Sequence, residues 1–408
     1  MSIAQPARFL DRSTPPHIMT LVLLAGMSAL VMNIFVPSLK IMADWYQTDY
    51  ATMQLAVSLY LGVNAALQLV VGTLSDRFGR RPVILWGMGI FIAATIGCAL
   101  APTVGMFLFF RMVQSSVVVG MVLSRAVVRD LYPPDQAASM IGYVTMGMSL
   151  VPMIAPIIGG AFAEIFGWHA NFWLMGAIGL LIMALAWRDL GETAAQSGLT
   201  LRQQFANYPE LLRSPRFWGY ALASAFSSGA FFSYVGGASF VGIEVFGLST
   251  ATLGYFFGAP AVGYAAGNYI SGRYSARIGI NTMVLSGAII VSAGMATLAA
   301  LFAAGWQSEW IFFGFMTTVG LGNGMCIPNA TAGALSVRPH LAGTASGLAG
   351  AIMLGGGAAL SQMAGTMLTP DTGAWPLLWM MLGTSLASIC AIGLVIWRER
   401  QIRGLDLA

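Results

Sequence analysis

The chain has 408 residues, of which 57% are apolar and only 8% charged, and its formal net charge is +4. A water-soluble domain carries roughly a quarter of its residues charged, so this composition cannot cover a surface that faces water on every side. It excludes a soluble enzyme or binding module and predicts a chain dissolved in lipid.

In a bilayer, a run of about 20 apolar residues crosses some 30 Å of hydrocarbon as a helix, which satisfies its own backbone polar groups. Twelve such spans are predicted, at 18–39, 51–72, 82–101, 103–128, 139–166, 168–188, 217–241, 249–272, 281–304, 307–332, 343–368 and 374–397. The fold class is therefore all-α integral membrane, and the lipid bilayer is the first partner. The polar start "MSIAQPARFLDRSTPPH" lacks a cleavage site after a short apolar core, so the first span reads as retained. Arginines gather in alternate loops and near the termini, whereas Lys40, the only lysine, falls on the other side. The positive-inside rule then predicts both termini in the cytoplasm of a bacterial-type inner membrane. The positive charge follows topology; no clustered basic patch with an aromatic platform points to nucleic acid.

Taken in chain order, the first span holds one strongly polar side chain, Asn33, four residues before Pro37. The loop after span 2 reads "GTLSDRFGRRPV", with Gly72 and Gly79 permitting close backbone approach and Asp76 set among Arg77, Arg80 and Arg81. Span 4 carries Arg111 well inside the apolar run, and Gln114 lies three residues on, along the same helix face. Span 5 contains "VPMIAPIIGG", where Pro152, Pro156, Gly159 and Gly160 bend the helix and admit a close neighbour. Between spans 6 and 7 runs the longest polar segment, a linker at 189–216 with a short surface helix. It divides the chain into six-span halves, 1–188 and 217–408. The halves echo each other: Gly72, Ser75, Arg77 and Gly79 recur 200 residues later as Gly272, Ser275, Arg277 and Gly279. Parallel repeats of this kind place a transported substrate between the halves near midplane.

These motifs together resemble the major facilitator superfamily. "GTLSDRFGRRPV" is similar to its loop-2/3 signature, "RMVQSSVVVGMVLSRAVVRDLYP" to the fourth-span motif of drug exporters, and "VPMIAPIIGG" to their antiporter motif. Within the superfamily the chain resembles the bicyclomycin/chloramphenicol-resistance (Bcr/CflA) group of multidrug exporters, most clearly in its first half. The resemblance implies two pseudo-symmetric six-helix halves, alternating access and multidrug efflux by antiport, with antibiotic resistance as the outcome. It also implies a conformational latch of Gly72, Asp76, Arg77, Gly79 and Arg81.

The chain departs from that group at one position. Relatives typically hold an acid four residues before the span-1 proline, where it takes up the exchanged proton; here Asn33 cannot titrate. All fifteen acids fall in loops, at termini or near interfaces, and Glu164 at the outer end of span 5 is the least distant substitute. Arg111 lies about 12 Å deep and Asn33 about 9 Å at 1.5 Å per residue, similar depths that suggest a contact. Three readings stay open: Arg111 held by carbonyls and water with coupling moved to an edge acid, Arg111 offered to an anionic substrate, or an uncoupled facilitator. A substrate cavity is expected to draw on Asn33, Tyr60, Asn64, Gln68, Arg111 and Gln114, with Ser233, Tyr234, Asn268, Asn323, Asn329 and Gln362 from the second half.

No HExxH, no P-loop, no GxSxG with a plausible His partner and no acid pair within a span suggests an enzyme. Cys98, Cys326 and Cys390 lie in apolar spans, and His17, His169 and His340 sit near span ends, so no metal site is expected. No cofactor is expected, and the missing P-loop argues against ATP as direct fuel. The sequence thus predicts a monomeric exporter of drugs or small metabolites, with protons as the expected counter-ion. The alternative is an uncoupled or anion-selective metabolite transporter that binds substrate through Arg111.

Overall fold

A computed structural model describes residues 9–132, 134–194, 208–338 and 341–405. Every regular element among them is helical. The first set of helices is α1 Ile18–Asn33, α2 Leu39–Trp45, α3 Tyr50–Phe78, α4 Arg80–Leu100, α5 Val104–Gln114, α6 Val118–Leu131, α7 Pro134–Phe166 and α8 His169–Asp189. The short α9, Tyr208–Leu212, follows; most of the predicted linker lies outside the described residues. The second set is α10 Pro215–Phe240, α11 Thr250–Phe256, α12 Ala259–Ile278, α13 Ile280–Ala303, α14 Glu309–Ser336, α15 Ala342–Met367 and α16 Trp375–Leu405.

Ten helical segments among the described residues are long and apolar enough to cross a membrane. Several merge short helices, as in Ile18–Trp45 and Val104–Leu131. The predicted fifth and eighth spans fall outside that ten. Of α7, Ile154–Phe166 is counted as a shorter apolar helix. Helix α12 carries Tyr264, Asn268, Tyr269, Arg273, Tyr274 and Arg277 along its length, which leaves it polar for a span.

Loop residues start the helices by satisfying free N–H groups. Asp49 caps α3 by accepting from Thr52, Thr103 caps α5, Ser214 caps α10, Ser249 caps α11 and Ser308 caps α14. The Thr52 hydrogen bonds hold the exposed Asp49 carboxyl below the ordinary carboxylate range. Exposed tryptophans such as Trp86, Trp187, Trp306, Trp310 and Trp397 lie near helix ends, where amphipathic rings suit a membrane interface.

The core runs through both sets, with Leu24, Phe35, Phe91, Phe107 and Phe172 from the first and Tyr234, Phe257, Phe312 and Phe313 from the second. A smaller apolar cluster around Phe217, Tyr220, Cys326 and Ile392 belongs to the second set alone. Between the sets, α3 packs along α15 and α7 along α11.

Candidate functional site

The site begins where helices are interrupted. Pro37 has no N–H to give, so α1 stops at Asn33 and the chain passes through a 3-10 turn, Val36–Ser38, before α2. Helix α5 stops at Gln114, and a second 3-10 turn, Ser115–Val117, leads into α6. Asn33 and the Arg111–Gln114 pair therefore both stand at breaks in long helices.

Arg111 is 1% exposed, and its guanidinium is enclosed. Nε donates to the Ala56 carbonyl at 3.0 Å, Nη2 to the Val31 carbonyl at 2.9 Å, and Nη1 to Gln114 Oε1. The rings of Phe35 and Tyr60 each lie 4.2 Å from the guanidinium carbon, an arrangement in which ring quadrupoles stabilise a desolvated cation. Gln114 passes the network on by donating to Thr95 Oγ1 at 2.8 Å. Two side chains, Arg111 and Gln114, thus tie α1, α3, α4 and α5 together.

Asn33 is 5% exposed and donates to Ala29 of its own helix at 2.8 Å. The hydrogen bonds of Arg111 go to Val31, Ala56 and Gln114, so the contact suggested by equal depth is not among them. Tyr60 reaches Ser28 at 3.4 Å, and Asn64 donates to the Tyr60 carbonyl at 3.0 Å. Gln68 approaches Gly350 of α15.

The second-set residues form separate groups. Asn323 accepts from Ser227 at 2.7 Å, Asn329 donates to Ser271 at 2.8 Å, and Asn268 donates to the Tyr264 carbonyl at 2.8 Å. The Ser233 and Tyr234 hydroxyls are buried without a hydrogen-bond partner, Tyr234 beside Phe257 at 5.1 Å. The structure gathers Tyr60, Asn64, Arg111 and Gln114 into one cluster and leaves Asn268, Asn323 and Tyr234 in others.

Gln362 belongs to a seam between the sets. Tyr50 donates to the Gly236 carbonyl at 2.9 Å, Gln54 to Ser361 at 2.7 Å, and Ser58 to Gln362 at 2.8 Å, while Gln362 donates back to the Ala51 carbonyl at 3.0 Å. Lys40 pairs with Glu244 at 3.0 Å, and Glu164 accepts from the Ala251 N–H at 2.9 Å. A Cβ on Gly159 would run into the Ile34 carbonyl oxygen, and one on Gly160 into that of Thr250. Backbone contact therefore replaces side-chain contact both within the first set and across the seam. All these bridges lie toward the end of the bundle away from the start of α1 and the finish of α16.

At the opposite end each set closes on itself. Gly79, with φ of 95°, turns α3 directly into α4, a conformation that a side chain would strain. Arg80 is the hub here. It pairs with Asp76, meets Asp130 at 3.0 Å, and bonds Ser75 and the Gly72 carbonyl. Glu192 accepts from the Arg80 and Arg81 amides, and Arg81 also reaches the Trp187 carbonyl at 3.1 Å. Arg77 lies over the Phe78 ring. In the second set, Glu399 accepts from Arg216, Tyr220 and Asn281. The expected latch of Gly72, Asp76, Arg77, Gly79 and Arg81 leaves out Arg80, which the sequence marks only as a neighbour of Asp76, and leaves out Asp130 and Glu192. Their signal in the sequence is "GRRP", with one acid in the last turn of α6 and another three residues beyond the end of α8.

Replacing Arg80 with Ala leaves Asp76 and Asp130 without their shared cation. We expect a local loss of about 1–2 kcal/mol, read as faster amide exchange at residues 75–82 and 128–131. Unchanged exchange there would remove Arg80 from the hub.

The Major Facilitator Superfamily model matches residues 21–362. The chain is 31% identical to a bicyclomycin resistance protein homolog of Haemophilus influenzae, over 97% of this chain and 99% of the relative. It is 28% identical to multidrug resistance protein D of Escherichia coli, covering 94% and 97% of the two chains. Its fold is similar to that of a bacterial homolog to the human lysosomal transporter Spinster, solved inward-facing and occupied. The TM-score is 0.72 over 94% of this chain and 96% of that one, at 18% identity.

Proposed function

The chain belongs to the Major Facilitator Superfamily, and from that membership we propose that it exports drugs or small metabolites across a bacterial-type inner membrane by alternating access. It is a multi-pass transporter of small molecules and not an enzyme. The drug-export reading draws on the names of its relatives. The observation that carries it is the distribution of polar contacts. The bridges between the helix sets gather toward one end, while the Arg80 and Glu399 clusters at the other end each stay within one set. Such a molecule can part at one end while held at the other.

Counting α7 and the α11–α12 pair as spans gives twelve, six before the linker at 189–216 and six after. Gly79 and Gly279 end α3 and α12 alike, with φ of 95° and 84°, which supports the duplication. Arginine placement then puts both termini in the cytoplasm, with the seam as the outer gate.

We take the exporter to be an antiporter whose proton-binding carboxylate lies at that gate, where Glu164 joins the sets. A substrate anion held by Arg111 is the weaker reading, because three hydrogen bonds and two rings already occupy its guanidinium. The deciding experiment is compound accumulation in cells stripped of their own exporters, with and without a protonophore. Lowered accumulation that the protonophore abolishes supports antiport; lowered accumulation that survives it overturns coupling and leaves export standing.

Asn33 supplies a second test. An Asp at this buried position, flanked by apolar residues, is desolvated, which favours its neutral form. Asn33→Asp should therefore add a titration to the pH profile of transport, centred above the ordinary carboxylate value of about 3.9. An identical profile in the variant would take residue 33 off the transport path.

A further inference from the structure

The two helix sets repeat one turn and finish it differently. Gly79 turns α3 into α4 and Gly279 turns α12 into α13, with φ of 95° and 84° and ψ of 148° and 150°. Each turn leaves the first N–H groups of a long helix without an intrahelical acceptor. On α4 the Glu192 carboxylate takes them, accepting from the Arg80 N–H at 2.8 Å and the Arg81 N–H at 3.3 Å. On α13 no described residue accepts from the backbone N–H of Ile280 or Asn281. The difference follows from helix length. Helix α8 has 21 residues and ends at Asp189, so Glu192 can fold back over α4, whereas α16 has 31 and runs on to Leu405.

The space that Glu192 fills in the first set is open in the second. A Cβ on Gly79 would run into the Glu192 carboxylate; one on Gly279 would meet nothing within 4 Å. That space belongs to a cavity of about 440 Å³ whose lining includes Gly279, Ile280, Asn281 and Arg216. An adjoining cavity of about 290 Å³ shares Asn281 and adds Leu285, Ile396 and Arg400. Glu399 is the one carboxylate in either lining, and Arg216, Tyr220 and Asn281 already donate to it. Arg216 keeps a buried Nε without a hydrogen bond, and Arg400 is exposed. Two arginines against one carboxylate leave the lining positive.

Free helix amides in a positive lining favour an anion, and the first set holds a carboxylate at the same turn. Leu285 and Ile396 lie one turn deeper along α13 and α16, and exposed Trp397 stands at the level where indoles meet the membrane interface. Every lining residue belongs to the second set, so the cavities are not part of the cleft between the sets. A charged head with an apolar body beside it describes a phospholipid. We propose that the start of α13, with Arg216 and Arg400, holds the phosphate of an anionic phospholipid whose acyl chain runs along Leu285 and Ile396. The lipid then steadies the second set as Glu192 steadies the first. The site needs only that the chain lies in a bilayer, so its failure leaves the exporter reading untouched.

The test is thermal unfolding of the full-length protein in a neutral detergent, titrated with phosphatidylglycerol, phosphatidylcholine or inorganic phosphate. Phosphatidylglycerol should raise the wild-type midpoint, and phosphatidylcholine should raise it far less. Thr282→Glu, at an exposed position in the first turn of α13, supplies a carboxylate to the free amides as Glu192 does on α4. This variant should start from a higher midpoint and gain little from phosphatidylglycerol. Arg400→Gln should keep the lipid-free midpoint and need about tenfold more phosphatidylglycerol for half the rise. If Thr282→Glu does not fold, Arg400→Gln carries the test. No rise with phosphatidylglycerol, an equal rise with phosphatidylcholine, or an unaltered response in Arg400→Gln overturns the anion site. A rise with inorganic phosphate that matches phosphatidylglycerol overturns the lipid as occupant.

Discussion

Arg111→Ala should lower the stability of the folded protein by about 3 kcal/mol, with loss of transport as a consequence of the lost fold. The substitution removes two ring contacts from a desolvated cation and strips Gln114, Val31 and Ala56 of a donor. Lysine should rescue little, since a single ammonium cannot reach carbonyls on α1 and α3 and the Gln114 amide together. Methionine should fall between wild type and alanine. It refills the volume, and the loss that remains is that of unmet acceptors, about 1 kcal/mol each.

The measurement that decides is thermal unfolding in detergent, run beside dye binding on the same samples. A bracket predicts that the unfolding midpoint falls for Ala and Lys. A substrate-binding charge predicts an unmoved midpoint with binding gone, and that outcome would return Arg111 to the cargo site.

The reason Arg111 needed the structure is geometric. Depth along a helix is legible from sequence, because lipid forces apolar runs to about 20 residues and every position rises 1.5 Å. Azimuth is not. Asn33 and Val31 differ by only two residues in depth, yet they point about 160° apart around α1, and Arg111 meets the carbonyl of Val31. The burial of a lone charge was predictable; its partners depended on how α1 and α5 are rotated. The latch shows the same limit in another form. The turn at Gly79 is readable from its motif, whereas the pairing of Arg80 with Asp130 spans 50 residues and that with Glu192 spans 112. The seam was closer to legible, since Tyr50, Gln54 and Ser58 recur every four residues and mark one face of α3. What the stripe lacked was its partner, which Ser361 and Gln362 supply from more than 300 residues away.

Gly159 and Gly160 are neighbours in the chain, and adding a methyl group to each should have opposite consequences. A Cβ at 159 enters the Ile34 carbonyl oxygen of the same helix set, at the break that follows Asn33. Backbone cannot swing aside as a side chain can, so α1 and α7 must separate, and Asn171 must follow because it donates to the Gly159 carbonyl at 3.1 Å. Gly159→Ala should therefore destabilise the fold by about 2 kcal/mol, seen as a lower unfolding midpoint. A Cβ at 160 enters the Thr250 carbonyl oxygen of the other set. Here the sets can part without unfolding, so Gly160→Ala should spare the midpoint and weaken closure of the seam. The pair Lys40→Cys and Glu244→Cys, at positions whose long native side chains meet at their tips, reports that closure as the yield of cross-linking by a bifunctional thiol reagent in a background with Cys98, Cys326 and Cys390 replaced by Ser. Yield should drop severalfold with Gly160→Ala and hold with Gly159→Ala in whatever protein remains folded. Equal yields in the two variants would mean that the close approach of α7 to α11 does not hold the gate. The polar bridges from Tyr50 to Gln362 would then carry closure by themselves.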